Sequence, residues 1–321
     1  MMTSPYRNLF GAFLASAVLS SSLTMPQAVN AGEGGVTHVV PGATATLSDL
    51  PGTSAAWFVK PMYLNYQATQ SAKIPTAAGV VANVDATADT FAVAVGRTFE
   101  KTILGGAHYT FAIALPYVWQ DISATVETPR GPVARKNKVD GFGDLAVMPV
   151  MLAWKSGSWQ YDATLAVFAP TGDYKKGRLG NPGLNYWTFD PVVGAVYSTK
   201  KGFNAMLHAG YAMNTENPDT NYHSGSMFHA EGVVQQFLPV GKGLLSLGAE
   251  GFYFDQVTCD GGDGATLGCF EGLTAGLGPV LGYIKPLGQQ TLIVEFKWLP
   301  ELDVEKRVEG DYLWLKGIYK F

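Results

Sequence analysis

Asp311-Tyr-Leu-Trp-Leu-Lys-Gly-Ile-Tyr-Lys-Phe321 is the stretch on which the fold turns. Every second residue back from Phe321 is Tyr319, Gly317, Leu315 and Leu313, none of them charged, while the places between hold Lys320, Ile318, Lys316 and Trp314. A period of two puts the first set on one face of a strand and both lysines on the other. An amphipathic edge strand of a soluble sandwich fits that pattern. So does the last strand of a closed membrane barrel, which pairs with the first and leaves no open edge.

The start of the chain favours the barrel. Arg7 is the only charge in the first 32 residues, and it precedes an apolar run from Leu9 to Leu19 and a small-residue site, Val29-Asn30-Ala31. This is the layout of a secretory signal, so residues 1–31 are read as a cleaved signal peptide and excluded from the fold. Its loss removes only Arg7, leaving 21 basic against 26 acidic residues with no basic block, which argues against a nucleic-acid partner. No later segment reaches the ~18 uninterrupted apolar residues of a membrane helix. The longest, Leu145 to Trp154, is short and contains Pro149. An exported chain with 47% apolar residues and 38 glycines is then a soluble all-β protein or an outer-membrane barrel.

Residues 32–53 are punctuated by Gly and Pro without a sustained period, and read as an extended segment either below the barrel or inside it. Residues 54–321 carry the barrel rhythm. Its clearest strand alternates Tyr109, Phe111, Ile113, Leu115, Tyr117 and Trp119 with His108, Thr110, Ala112, Ala114 and Pro116. Large residues with aromatics at their ends suit a lipid face, and small ones a lumen face. Short turns at 155–158, 199–202, 239–243 and 285–288 alternate with longer loops at 70–85, 120–142, 171–184, 214–224, 259–269 and 300–310. The expectation is an all-β, transmembrane, antiparallel up-and-down barrel of about twelve strands, with ten or fourteen as alternatives.

Facing parity then assigns a lumen. It collects Lys60, Asp144, Gln160, Asp162, Thr188, Asp190, Asn204, His208, His229, Glu231, Gln235, Glu250, Glu295, Lys297 and Lys316. A charge facing lipid at the mid-membrane costs about 2–4 kcal/mol, so segregation onto one parity is informative. The ligand-path candidates are Asp162, Phe168, Asp190, His208, His229, Glu231, Glu250, Phe252, Phe254, Glu295 and Lys297. Aromatics would offer a greasy track; carboxylates and His208 would orient a hydroxyl or amine.

Several short stretches carry a family resemblance: Gly141-Phe-Gly-Asp-Leu145, Ala169-Pro-Thr-Gly-Asp-Tyr174, Asn181-Pro-Gly-Leu-Asn-Tyr-Trp-Thr-Phe-Asp-Pro191, Asn221-Tyr-His-Ser-Gly225 with His229, Gln256-Val-Thr-Cys-Asp260 and Gly264-Ala-Thr-Leu-Gly268. Together they resemble the family named for the meta-pathway of phenol degradation, a group of transporter-like outer-membrane proteins. The resemblance runs from about residue 34 to the C-terminus and implies an outer-membrane channel for passive uptake of hydrophobic or aromatic small molecules.

Other chemistry is sparse. Cys259 and Cys269, an even pair in a Gly/Asp-rich loop of an exported chain, are expected to form a disulfide rather than a metal site, and they depart from the family's pattern. Asp255, Asp260 and Asp263 lack EF-hand spacing and read as solvated loop carboxylates. No nucleotide-binding glycine motif or nucleophile elbow is placed at a strand-to-helix turn. An outer-membrane lipid hydrolase would need a nucleophile two residues from a His on one strand face; only His108 with Thr110 offers that spacing. The chain is therefore read as a channel without enzymatic activity, cofactor or metal, in contact with outer-membrane lipid and lipopolysaccharide. A lipid-modifying enzyme and a non-conducting structural barrel are the alternatives.

Overall fold

The computed structural model of the chain describes residues 33, 36–70, 74–76, 79–126, 128, 130–266, 268–269 and 271–321. The expected signal peptide, residues 1–31, lies outside the described residues. Twelve antiparallel strands close into one barrel. In chain order they are β1 (Ala56–Gln70), β2 (Gly79–Ile103), β3 (Ala107–Val126), β4 in two pieces (Val133–Phe142 and Leu145–Ser156), β5 (Trp159–Ala169) and β6 (Thr188–Ser198). The second half is β7 (Phe203–Asn214), β8 (Met227–Val240), β9 (Gly243–Gln256), β10 (Leu273–Leu287), β11 (Gln290–Glu305) and β12 (Glu309–Lys320). Each strand pairs with its neighbours in sequence, and β1 pairs with β12 from Phe58 opposite Lys320 to Thr69 opposite Glu309. Trp57 and Phe321 exchange backbone hydrogen bonds of 2.8 and 2.9 Å, so the terminal aromatic seals the seam.

The alternation in the closing strand sorts as its period requires: Leu313, Leu315 and Phe321 are exposed outside, while Tyr312, Trp314, Lys316 and Ile318 are buried inside. The same holds on β3, where Phe111, Ile113, Leu115 and Trp119 face out and Thr110 and Ala112 face in. Sheet closure satisfies the backbone and parity hides the charges, which is what hydrocarbon demands. No helix among the described residues is long and apolar enough to cross a membrane.

Tight turns close one end. Gly157 in the β4–β5 turn has φ +60° and Gly202 in the β6–β7 turn has φ +87°, a left-handed conformation that glycine adopts without strain. At the other end the sequence-based loop bounds need correction. Strand pairing continues through much of 70–85, 120–142 and 300–310: β2 starts at Gly79, β3 runs to Val126, β4 starts at Val133 and β11 ends at Glu305. The outward faces there become polar, with Lys138 bonded to Asp121 at 2.8 Å and Asn65 to Asp89 at 2.8 Å. Beyond the hydrocarbon the ladder persists with its apolar facing reversed: Ile122, Ala124 and Val126, with polar residues between them, pack inward with Val81 and Val84.

Candidate transport passage

The first described residues, 33 and 36–53, run through the barrel from its loop end to its turn end. Glu33 lies among the outer loops, donating its N–H to Ser224 Oγ at 3.2 Å and accepting from Asn217 Nδ2 at 2.7 Å. Burial raises its carboxyl above the ordinary 4.5, against hydrogen bonds from Asn217, Thr220 and Tyr174 that pull it down. His38 follows, hydrogen-bonded to Asp144 at 2.9 Å and Thr188 at 2.7 Å and stacked on Phe168 with 4.9 Å between ring centroids. Asp144 sits in the break between the two pieces of β4. Its carboxylate also accepts the N–H groups of Gly172 and Leu184, at 2.8 and 2.6 Å, and so ties the outer loop 171–184 to the inner segment. In that loop Arg178 forks onto both oxygens of Asp173 at 2.9 Å and holds its carboxyl below the ordinary 3.8.

Deeper in, the segment has no sheet to pair with, and lumen side chains satisfy its backbone instead. Trp314 Nε1 donates to Pro41 O at 2.9 Å, Lys297 Nζ to Gly42 O at 2.8 Å, and Thr44 N–H reaches Glu231 Oε2 at 3.3 Å. Gly42 has φ +87°, and a Cβ there would lie 2.6 Å from Trp314 Nε1, so only glycine fits on both counts. Thr46 donates to Glu295 at 2.7 Å. Asp49 is clamped by Lys60 of β1, by Lys316 of β12 at 2.9 Å and, at 3.6 Å, by Lys297, which is also paired with Glu250 at 2.8 Å. Around Val39, a cluster of Phe252, Phe254, Leu299 and Trp314 completes the contact.

Segment 36–54 is held by β1, β8, β9, β11 and β12, and its Ala45 also packs on Val196 of β6 and Met206 of β7. On its other side a cavity of about 670 Å3 remains, walled by Ala92 and Ala94 of β2, Ala112 and Ala114 of β3, Ala146 and Met148 of β4, and Thr164 and Ala166 of β5. Of the ligand-path candidates, Asp162, Phe168, Asp190 and His208 line it. His229 is bonded to Asp190 at 2.9 Å and stacks on Phe254. Glu231, Glu250, Glu295, Lys297, Phe252 and Phe254 contact the segment or one another instead of the cavity. Thr110 bonds to Thr98 Oγ1 at 2.8 Å and His108 contacts the Phe99 carbonyl, so that pair is not engaged as a base and nucleophile.

The family model described as "Putative MetA-pathway of phenol degradation" matches residues 69–317. The chain belongs to this family. Among curated proteins, no sequence matches it. Among solved structures, the phenol-degradation family chain is similar to the COG4313 outer membrane channel from Pseudomonas putida F1, at 17% identity and a TM-score of 0.63, covering 88% of this chain and 100% of that one. It is also similar to the beta domain of the Bordetella autotransporter BrkA, at 11% identity and a TM-score of 0.45, covering 84% and 100%, a likeness too loose to carry an argument. The fold is that of an outer-membrane barrel.

Sequence reasoning did not single out His38, Gly42 or Asp49 in this family member. Their signal was indirect: a lumen set holding Glu231, Glu250 and Glu295 beside Lys60, Lys297 and Lys316 is too charged to be left without contents. The loop disulfide between Cys259 and Cys269 is present. Asp260 beside it is buried instead of solvated, because it accepts Tyr222 Oη, Gly225 N–H and Gln256 Nε2 and so organises the loop from within.

Proposed function

We propose that the chain is an outer-membrane channel for passive uptake of small hydrophobic or aromatic compounds. The observation that carries this reading is the cavity of about 670 Å3 beside the inner segment, walled on the β2–β5 side by Ala, Thr and Met with Phe168. Its size and apolar lining are those of a small-molecule site with a few fixed polar groups. The shared fold with the Pseudomonas putida protein, itself an outer membrane channel, supports the same reading. A closed barrel without conductance is the second reading, favoured by the segment that occupies the other side of the lumen. Ala114→Trp and Ala166→Trp fill the passage from its wall without touching the clamp around Asp49. Cells relying on this protein for growth on an aromatic carbon source are expected to lose most uptake with either variant, while general porin substrates enter unchanged. Equal uptake with and without the bulky side chains would move the passage away from this cavity, and equal uptake with and without the protein would favour the closed barrel.

A further inference from the structure

The wall of the passage carries one arrangement twice. Asp162 on β5 stands opposite Gly194 on β6, which stands opposite His208 on β7. The imidazole lies over the glycine, with Nε2 3.2 Å from both Asp162 oxygens, and a Cβ on Gly194 would come within 2.2 Å of the ring. One strand further round, His229 on β8 stands opposite Gly210 on β7 and reaches Asp190 on β6 at 2.9 Å. A Cβ on Gly210 would again come within 2.2 Å of that ring. Each glycine is therefore the space a histidine needs to hold a carboxylate two strands away.

We propose that these two Asp–Gly–His triplets make the passage a filter that admits neutral hydrogen-bond donors and rejects the matching carboxylate anions. This rests on the reading of the cavity as a transport passage. Asp162, Asp190 and His208 all line it. A carboxylate only accepts, so each His donates Nε2–H to it. In the neutral ring His208 Nδ1 is then an acceptor, and it has no hydrogen-bond partner among the described residues although the residue is only 2% exposed. A buried lone pair of this kind calls for a donor from the passage. Asp144 differs, because Gly172, Leu184 and His38 already occupy its oxygens. Among the described residues, no cation on the wall compensates the Asp162 and Asp190 carboxylates: Lys60 is held by Asp49, Arg307 contacts Glu301 and Tyr312, and Lys320 stands at the turn-end mouth, where β12 ends. A hydroxyl or amino group entering the passage finds acceptors at two heights. An aromatic carboxylate of the same shape meets like charge in a confined, poorly screened space.

The test compares 4-fluorobenzyl alcohol with 4-fluorobenzoate, titrated by fluorine NMR against the purified full-length barrel in micelles, with empty micelles subtracted. The alcohol is expected to bind about tenfold tighter or more, a difference of ~1.4 kcal/mol. Ala166→Trp should abolish its binding. Asp162→Asn with Asp190→Asn keeps an acceptor for each histidine and is expected to bring benzoate to within about twofold of the alcohol. Equal binding of both probes to the wild type would overturn the filter and leave aromatic uptake standing. Absence of binding by either probe would remove both proposals. The wild-type comparison decides even where the Asn variants fail to fold.

Discussion

Around the lumen, β8, β9, β11 and β12, with Lys60 of β1, press charged and aromatic side chains onto the inner segment, whereas β2–β5 face the cavity with alanine, threonine and methionine. In the first region the ions answer one another: Asp49 meets Lys60, Lys297 and Lys316, and Lys297 also meets Glu250. In the second, small side chains leave space and the few polar groups point into it. Density of charge marks the filled half of this barrel, and scarcity of side-chain volume marks the half where a solute fits. A buried ion cluster is weak evidence for a ligand site, because its first duty is to satisfy itself.

The comparison breaks most severely at Asp49. Asp49→Ala would leave three ammonium groups crowded without their shared anion, a loss of about 3–5 kcal/mol. The expected outcome is an inner segment freed from the wall. A cysteine at Ala45, which is fully buried in the intact protein, should then react with a thiol reagent many times faster. Unchanged protection would show that the apolar contacts around Val39 hold the segment alone. Gly42→Ala acts at the same interface with a smaller effect, about 1–3 kcal/mol, because the added methyl meets Trp314 and the backbone is left-handed. In a Trp314→Ala background the same Gly42→Ala change should lower the thermal midpoint less, the difference being the part due to the clash. The smallest effect belongs to the outer loop. The Asp173 carboxyl is held below 3.8 by Arg178, so that contribution is present above the unfolded carboxylate range and is lost as pH falls through the lowered value. Amide exchange in loop 171–184 should rise only under acid conditions in the wild type. Arg178→Gln should raise it at neutral pH, with no change in the barrel strands.

How much of this was legible in the sequence depends on the residue. Leu313, Leu315 and Phe321 announced a lipid face because period two is imposed by the backbone and by nothing distant. Lys316 and Glu295 were assigned to the lumen for the same reason. What Lys316 touches was not legible, since Asp49 lies 267 residues away along the chain and no local pattern couples them. The Asp162–His208 and Asp190–His229 couples were half visible: parity put all four inside, but the bridging role of Gly194 and Gly210 needs the strand register. The extensions of β2, β3 and β4 beyond the membrane were missed because the large apolar residues leave the outer face there, while Val81, Val84, Ala124 and Val126 pack inward instead.

Asp49 touches β1 through Lys60 and β12 through Lys316, the two strands that meet at the seam. A slip of one residue in that pairing would swing Lys316 outward among acyl tails, and a slip of two would carry it about 7 Å from Asp49. Asp49 therefore favours a single register of the closing hairpin, the one that brings both ammonium groups to the same carboxylate.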